Sequence, residues 1–276
     1  MYAALLNKQL VLAATEAAQI KSKTQKNYSC PRCHHRVQLI KTAQGAYFKH
    51  LTRSTNMMGE KAEHALSKAL LKEALREAGF NAQLEIPLAQ GQLRADVLAS
   101  PQLAFEVQCA PLSLAEFNHR HQLYFEIGVV DVWVVGQRHY LQRQIKKSQL
   151  IFFRKNQLWR DYYLEVNPKR KKLILKYNVL LEPVTSRVHY QMMTFALNAQ
   201  GLQRLWHFRP QLKTYQVNSA EQRQYLMRQL MQKTKIGQSI ATALYVKKMT
   251  LDDLPEKVFT EMRYVGQLNN VLAYLN

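Results

Sequence analysis

Acidic residues are scarce in this chain: 19 Asp and Glu stand against 39 Lys and Arg, leaving a formal charge of +20 over 276 residues. Such an excess is first explained by a polyanionic partner, either nucleic acid or an anionic membrane surface, against the plainer reading of a generally basic soluble protein. Membrane binding is disfavoured because no stretch combines a strong apolar face with a wholly basic one. Cysteine is equally sparse. Only Cys30, Cys33 and Cys109 occur, two of them as one Cys-x-x-Cys pair, which excludes a secreted disulfide framework and fits a reducing compartment. No apolar run approaches the ~18 residues a membrane span needs. The mildly apolar opening, Met1–Ala18, is interrupted by Lys8 and Gln9 and has no basic region before it, so it is a poor signal peptide. The expected location is cytoplasmic. Internal repeats and low-complexity tracts are missing too.

What is present falls into three parts: 1–57, 58–140 and 141–276. In the first, residues 2–20 alternate weakly and predict a short hairpin, followed by a polar linker. Tyr28-Ser-Cys30-Pro-Arg-Cys33-His34-His35 then reads as a knuckle, and a small hairpin around Gly45 ends at His50. Two thiolates from the knuckle and His50 from the hairpin are candidate ligands for a tetrahedral Zn²⁺. His34 and His35 are both available as the fourth, and nothing in the spacing chooses between them. The alternative is a metal-free loop with two reduced thiols.

The middle part carries the chemistry. Residues 60–79 predict a helix, with Ala62, Ala65, Leu66, Ala69, Leu70, Ala74 and Leu75 as its apolar stripe and Gly79 as its stop. Phe80–Pro87 reads as a strand. Residues 92–109 read as two strands joined at Ser100–Pro101, the first bearing Asp96, the second Glu106 and Gln108. Residues two apart on a strand share a face, so Glu106 and Gln108 project together, and a hairpin brings Asp96 alongside. Two converging carboxylates make a hard-oxygen site suited to Mg²⁺ or Mn²⁺. The bland alternative is a hairpin with solvated acids. Leu112–Ile127 predicts a second helix, with Ser113 and Glu116 in a capping-box pattern. Val129–Val135 predicts a strand buried on both sides, reached by a helical crossover and so free to lie parallel to an earlier strand.

Beyond residue 140 basic residues dominate, including Lys146, Lys147 and the run Lys169-Arg170-Lys171-Lys172, interleaved with Phe152, Phe153, Trp159, Tyr162, Tyr163 and Tyr177. Basic clusters among aromatics suit phosphate contacts and base stacking, although the same aromatics serve equally as core. Strands are expected over 149–182, and helices from about 195, among them Ala220–Lys235 and Lys257–Leu275.

Taken in order, the knuckle closed by Phe48-x-His50, the Glu63-His64-x-x-x-Lys68 helix, Arg94-Ala-Asp96-Val, Phe105-Glu-Val-Gln-Cys109 and Val132-Trp-Val-Val-Gly136 resemble the competence protein CoiA family over roughly residues 1–140. The resemblance implies an α/β fold with a divergent PD-(D/E)XK nuclease core, a small zinc-knuckle segment before it and a basic mixed α+β region after it. It implies a role in processing or recombining incoming DNA during genetic transformation, with single-stranded or branched DNA and recombination proteins as partners. Asp96 corresponds to the motif aspartate and Glu106 to the second acid, the pair that would hold Mg²⁺ or Mn²⁺ with the Val107 carbonyl as a further ligand. Gln108 stands where lysine is usual, leaving Lys68 or Arg94 to supply the missing charge. Glu63, His64 and Lys68 lie on a helix that in related nucleases adds an acid to the site, and Arg120 and Tyr124 fall where some relatives carry Gln-x-x-x-Tyr, which makes them expected contacts to the nucleic acid. Tyr47 stands where some members offer another histidine. The implied reaction is metal-assisted phosphodiester hydrolysis. A DNA-binding protein with a degenerate nuclease site, or an RNA-processing protein, is the competing expectation.

Overall fold

The computed structural model describes residues 3–7, 9–19, 26–31, 36–42, 45–50 and 55–276. It divides into two compact units, Met1–Glu60 and Lys61–Asn276. In the first, β1 (Ala3–Leu6) and β2 (Gln9–Leu12) form the expected hairpin, and the chain then turns into a short helix, α1 (Ala13–Gln19). The hairpin joins β3 (Tyr28–Ser29), β4 (Arg36–Thr42) and β5 (Gly45–His50) in one sheet, order β2-β1-β3-β4-β5. Its small core gathers Ala4, Ala13, Tyr28, Cys30, Val37 and Phe48. Cys30 is thus buried, while Cys33, His34, His35 and the side chain of His50 lie outside the described residues, and the zinc expectation lies there with them.

The second unit begins within α2 (Thr55–Glu77) and continues through β6 (Gln83–Leu88), β7 (Leu93–Ser100), β8 (Leu103–Gln108), α3 (Leu114–Glu126) and β9 (Val130–Val135). Helix–strand–strand–strand–helix–strand is the predicted order. Ser113 caps α3, accepting from the Glu116 backbone N–H, and α3 provides the crossover that sets β9 parallel to β8. Beyond residue 140 come β10 (Arg154–Asn156), β11 (Arg160–Asn167), β12 (Lys172–Leu181) and β13 (Val188–Ala196). These strands extend the same sheet, order β13-β12-β11-β9-β8-β7-β6 with β10 on β11. Helices α4 (Ala199–Trp206), α5 (Ser219–Met231), α6 (Lys235–Val246), α7 (Lys257–Thr260) and α8 (Asn270–Leu275) complete the chain. The single helix expected over 257–275 is two short ones, because Arg263 pairs its backbone with Leu181 and spends its guanidinium on the carbonyls of Glu182, Thr185 and Gln267.

Helices cover both faces of the sheet. Leu71, Ala74 and Leu75 of α2 and Leu202 and Leu205 of α4 pack with Val97, Phe105, Val107 and Val134. On the other side Leu123 and Tyr124 of α3 pack with Ala95 and Ala104, and Phe117 with Trp133 and Val135. The aromatics of the basic half go largely to this core: Phe152, Tyr163 and Tyr177 are buried. β9 is not buried on both sides throughout, since Val130 is exposed. No helix among the described residues is long and apolar enough to cross a membrane.

Candidate active site

The site forms where β7 and β8 part. Their ladder runs to the Val97–Phe105 pair, and the next residue inward on each strand is an acid, Asp96 and Glu106. In place of a further backbone pair, the Asp96 carboxylate accepts the Val107 N–H, at 2.9 Å. α2 brings two more groups to it. His64 Nε2 lies 3.1 Å from Asp96 Oδ2, and Lys68 Nζ lies 3.4 Å from Oδ1. His64 and Lys68 share a helix face because they are four apart.

Lys68 also donates to Glu85 of β6, a residue that the alternation pattern presents only as an outward polar position. Glu85 sits at φ +56°, in the left-handed region, and the β6–β7 ladder skips it between the Leu84–Val97 and Ile86–Ala95 pairs. A non-glycine residue in that region costs free energy that neighbouring contacts must offset. The contact with Lys68 is one of them. Antiparallel pairing about the Gln90–Gly91 turn would have placed Glu85 level with Asp96 from the sequence alone. Arg94 approaches the same carboxylate at 3.9 Å.

Glu106 is held from the opposite side, by α3. Arg120 pairs with its Oε2, and the Tyr124 hydroxyl donates to its Oε1. Its side chain is 0% exposed. Burial pushes its carboxyl up to about 8, against the pull of the Arg120 charge and with the Asp96 charge adding to the rise. Asp96 goes the other way. Burial would raise it, but the His64 hydrogen bond and charge, the Val107 N–H and Lys68 together hold it below the usual carboxylate range. Two acids one residue beyond the same strand pair are therefore driven apart, Asp96 by the partners that α2 brings and Glu106 by a burial that its α3 partners only partly offset.

The remaining expected residues are placed as follows. Gln108 turns to the Ala110 carbonyl, 2.6 Å from its Nε2. Glu63 accepts the Gln137 N–H at 2.8 Å, near the end of β9, so its carboxylate serves that turn. Tyr124 is fully buried and positions Glu106; it presents no surface for stacking a base. Arg120 lies over the Trp133 ring, 5.2 Å from its centroid, a placement that the sequence pattern did not indicate. Lys146 and Lys147 are exposed at the start of a 3-10 turn, and Lys169, Arg170, Lys171 and Lys172 are exposed around the β11–β12 turn.

Among the described residues no three His, Cys, Asp or Glu side chains form a metal-holding group. A Mg²⁺ ion, however, is commonly held by one or two carboxylates with water completing its shell. The ammonium of Lys68, seated against both Glu85 and Asp96, shows that a cation is accommodated between two carboxylates here. Asp96 and Glu85 fit a hard divalent ion on those terms, while both oxygens of Glu106 are taken by Arg120 and Tyr124.

No curated protein and no solved structure matches the chain. The family model for the competence protein CoiA nuclease-like domain matches residues 60–211, which runs from α2 past α4 and so includes every strand of the larger sheet. That span is more than half of the 276 residues and contains Asp96, Glu106 and the helices that hold them. The chain belongs to the competence protein CoiA family, through its nuclease-like domain.

Proposed function

We propose that the chain is a metal-dependent DNA nuclease acting on incoming DNA in genetic competence and recombination, in the cytoplasm. One observation carries the reading: α2 delivers Lys68 to the Asp96 carboxylate, bringing positive charge to a centre whose second strand offers only neutral Gln108. Asp96 and Glu106 would hold Mg²⁺ or Mn²⁺, with Glu85 beside them. Bound there, the ion would lower the pKa of a water and neutralise charge building on the phosphate. The chain's own groups do the rest. Asp96, kept ionised by His64 and Lys68, offers a fixed anionic oxygen. Lys68 holds a positive charge where negative charge develops, in a site largely shut from water, which makes that charge more effective than in bulk solvent.

A second reading, a catalytically degenerate DNA-binding protein, is favoured by the double hold of Arg120 and Tyr124 on Glu106. Both oxygens of that carboxylate are already engaged.

Cleavage of labelled single-stranded, duplex and branched DNA with Mg²⁺ or Mn²⁺ separates the two readings. The nuclease cuts at least one substrate, and Asp96→Ala and Glu106→Ala abolish cutting while binding persists. Binding by the parent with no cutting under either metal selects the second reading. A structural Zn²⁺ on Cys30, Cys33 and His50 is proposed on their spacing alone, and metal analysis of the parent against Cys30→Ser tests it.

A further inference from the structure

We propose that the groove between α2 and the outer strand β6 binds the sugar–phosphate backbone of a nucleic-acid strand leaving the Asp96 centre, with Lys72, Arg76, Asn81 and Gln83 as its phosphate subsite. The inference rests on the reading of that centre as a nucleic-acid site. It starts from spacing: His64, Lys68, Lys72 and Arg76 recur every fourth residue of α2 and so form one continuous stripe. Each step rises ~6 Å along the helix, comparable to the spacing of successive phosphates along a strand.

The opposing wall runs in register with that stripe, in the reverse direction. Lys68 meets Glu85, while Lys72 and Arg76 share a cavity with Gln83 and Asn81. Helix numbers climb as strand numbers fall, so the cavity continues the line that begins at Asp96. Its volume is about 360 Å³, and Lys72, Arg76, Asn81, Ala82, Gln83 and Leu84 line it. Two cations and two amides therefore face the space, with no carboxylate in the lining. Of the acids nearby, Glu77 accepts the Ala199 N–H and Glu85 is held by Lys68, while Glu73, exposed, lies 3.5 Å from Lys72 itself and is the contact that a phosphate would displace. β6 ends the order of the larger sheet, so the groove lies along the sheet's outer strand. A strand lying there is recognised by charge and amide contacts to phosphate, which fix its position without reading its sequence.

The test is fluorescence-anisotropy binding of a labelled single-stranded oligonucleotide across a salt series. Lys72→Ala/Arg76→Ala is compared with the parent and with a charge-matched control, Lys235→Ala/Lys247→Ala, two exposed lysines at the ends of α6. Thermal unfolding of each verifies the fold. The expected result is about tenfold or more loss of affinity at low salt for the groove variant. Its log–log salt slope falls by about 1.4, the value for two phosphate contacts to a single strand, and the control loses distinctly less. Equal losses in both variants would mean diffuse electrostatics and overturn the subsite, as would an unchanged groove variant alongside a parent that binds. Competition by inorganic phosphate as effective, per phosphate, as by unlabelled oligonucleotide would reduce the cavity to a free-anion site and also overturn it. A parent that binds no oligonucleotide removes the nucleic-acid reading itself, and the subsite falls with it.

Discussion

Lys68 of α2 stands between two strands' acids: its Nζ is 3.4 Å from Asp96 Oδ1 and in direct contact with Glu85. A single ammonium is thus shared by β6 and β7 at the point where β7 separates from β8. Burial alone would lower the pKa of Lys68, but the Glu85 hydrogen bond and the charges of both acids raise it, so it remains a cation.

Removing that ammonium should act on the chemistry. Lys68→Met is expected to lower the cleavage rate by ~10²–10³-fold, the range for loss of one positioned charge-stabilising group. Gln108→Lys in the Lys68→Met background should recover about tenfold or more by returning a cation to the usual strand position. Single-turnover rates at saturating Mg²⁺ measure both, and an unchanged rate in Lys68→Met would leave Lys68 a structural partner only.

Glu106 makes stability depend on pH in a defined window. Its native carboxyl is raised to about 8 from an ordinary 4.5, so between those values the folded state keeps a proton that the unfolded chain releases. Stability from this group therefore falls as pH rises from about 5 to about 8. Glu106→Gln does not titrate. Urea unfolding at pH 5, 6, 7 and 8 should show the variant gaining on the parent with each step, and a flat difference would contradict the shift.

Tyr124→Phe deletes a hydroxyl that donates to a fully buried carboxylate while keeping the ring. A loss of about 1–2 kcal/mol is expected. It should be larger at pH 8 than at pH 5, because the lost donor stabilises the ionised form of Glu106. Denaturation midpoints at the two pH values measure it.

Gly136 has no room for a side chain. A Cβ there would meet Cys109 Sγ at 2.6 Å and Glu63 Oε1 at 2.9 Å. Gly136→Ala should cost about 1–3 kcal/mol through overpacking and displace Glu63 from the Gln137 N–H. Glu63→Gln keeps an acceptor at that position and should leave cleavage unchanged, whereas a ligand of the metal could not be so replaced. Thermal unfolding and cleavage assays test the two halves of this prediction.

Much of the core order was legible because strand and helix periods write themselves into a sequence. The alternating Phe80–Pro87 stretch (a strand from Gln83), the Asp96 and Glu106 strands, the Ser113 cap and the Val129–Val135 strand are local patterns, and short connections or the α3 crossover bring their partners to them. The face of α2 was misjudged for a physical reason. Ala62, Ala65, Leu66 and Ala69 look like its buried stripe, yet all are exposed, while Ser67 and Lys68 are buried. Apolar periodicity assumes that hydrophobic burial orients a helix, but here ion pairs to Asp96 and Glu85 and the Glu63 contact turn its N-terminal half. Leu71, Ala74 and Leu75 follow the usual rule further along.

By itself the sequence determined that the chain is strongly basic, that a helix and three strands precede a crossover helix, and that Asp96 and Glu106 end up on neighbouring strands. Those features follow from composition, from period and from the short connections that force successive strands to pair. Only the tertiary structure decided which helix holds which acid, that Lys68 rather than Arg94 brings its ammonium to both Glu85 and Asp96, and that β11–β13 extend the same sheet. Each of those depends on elements far apart in sequence meeting in space, and no local pattern records the distance between them.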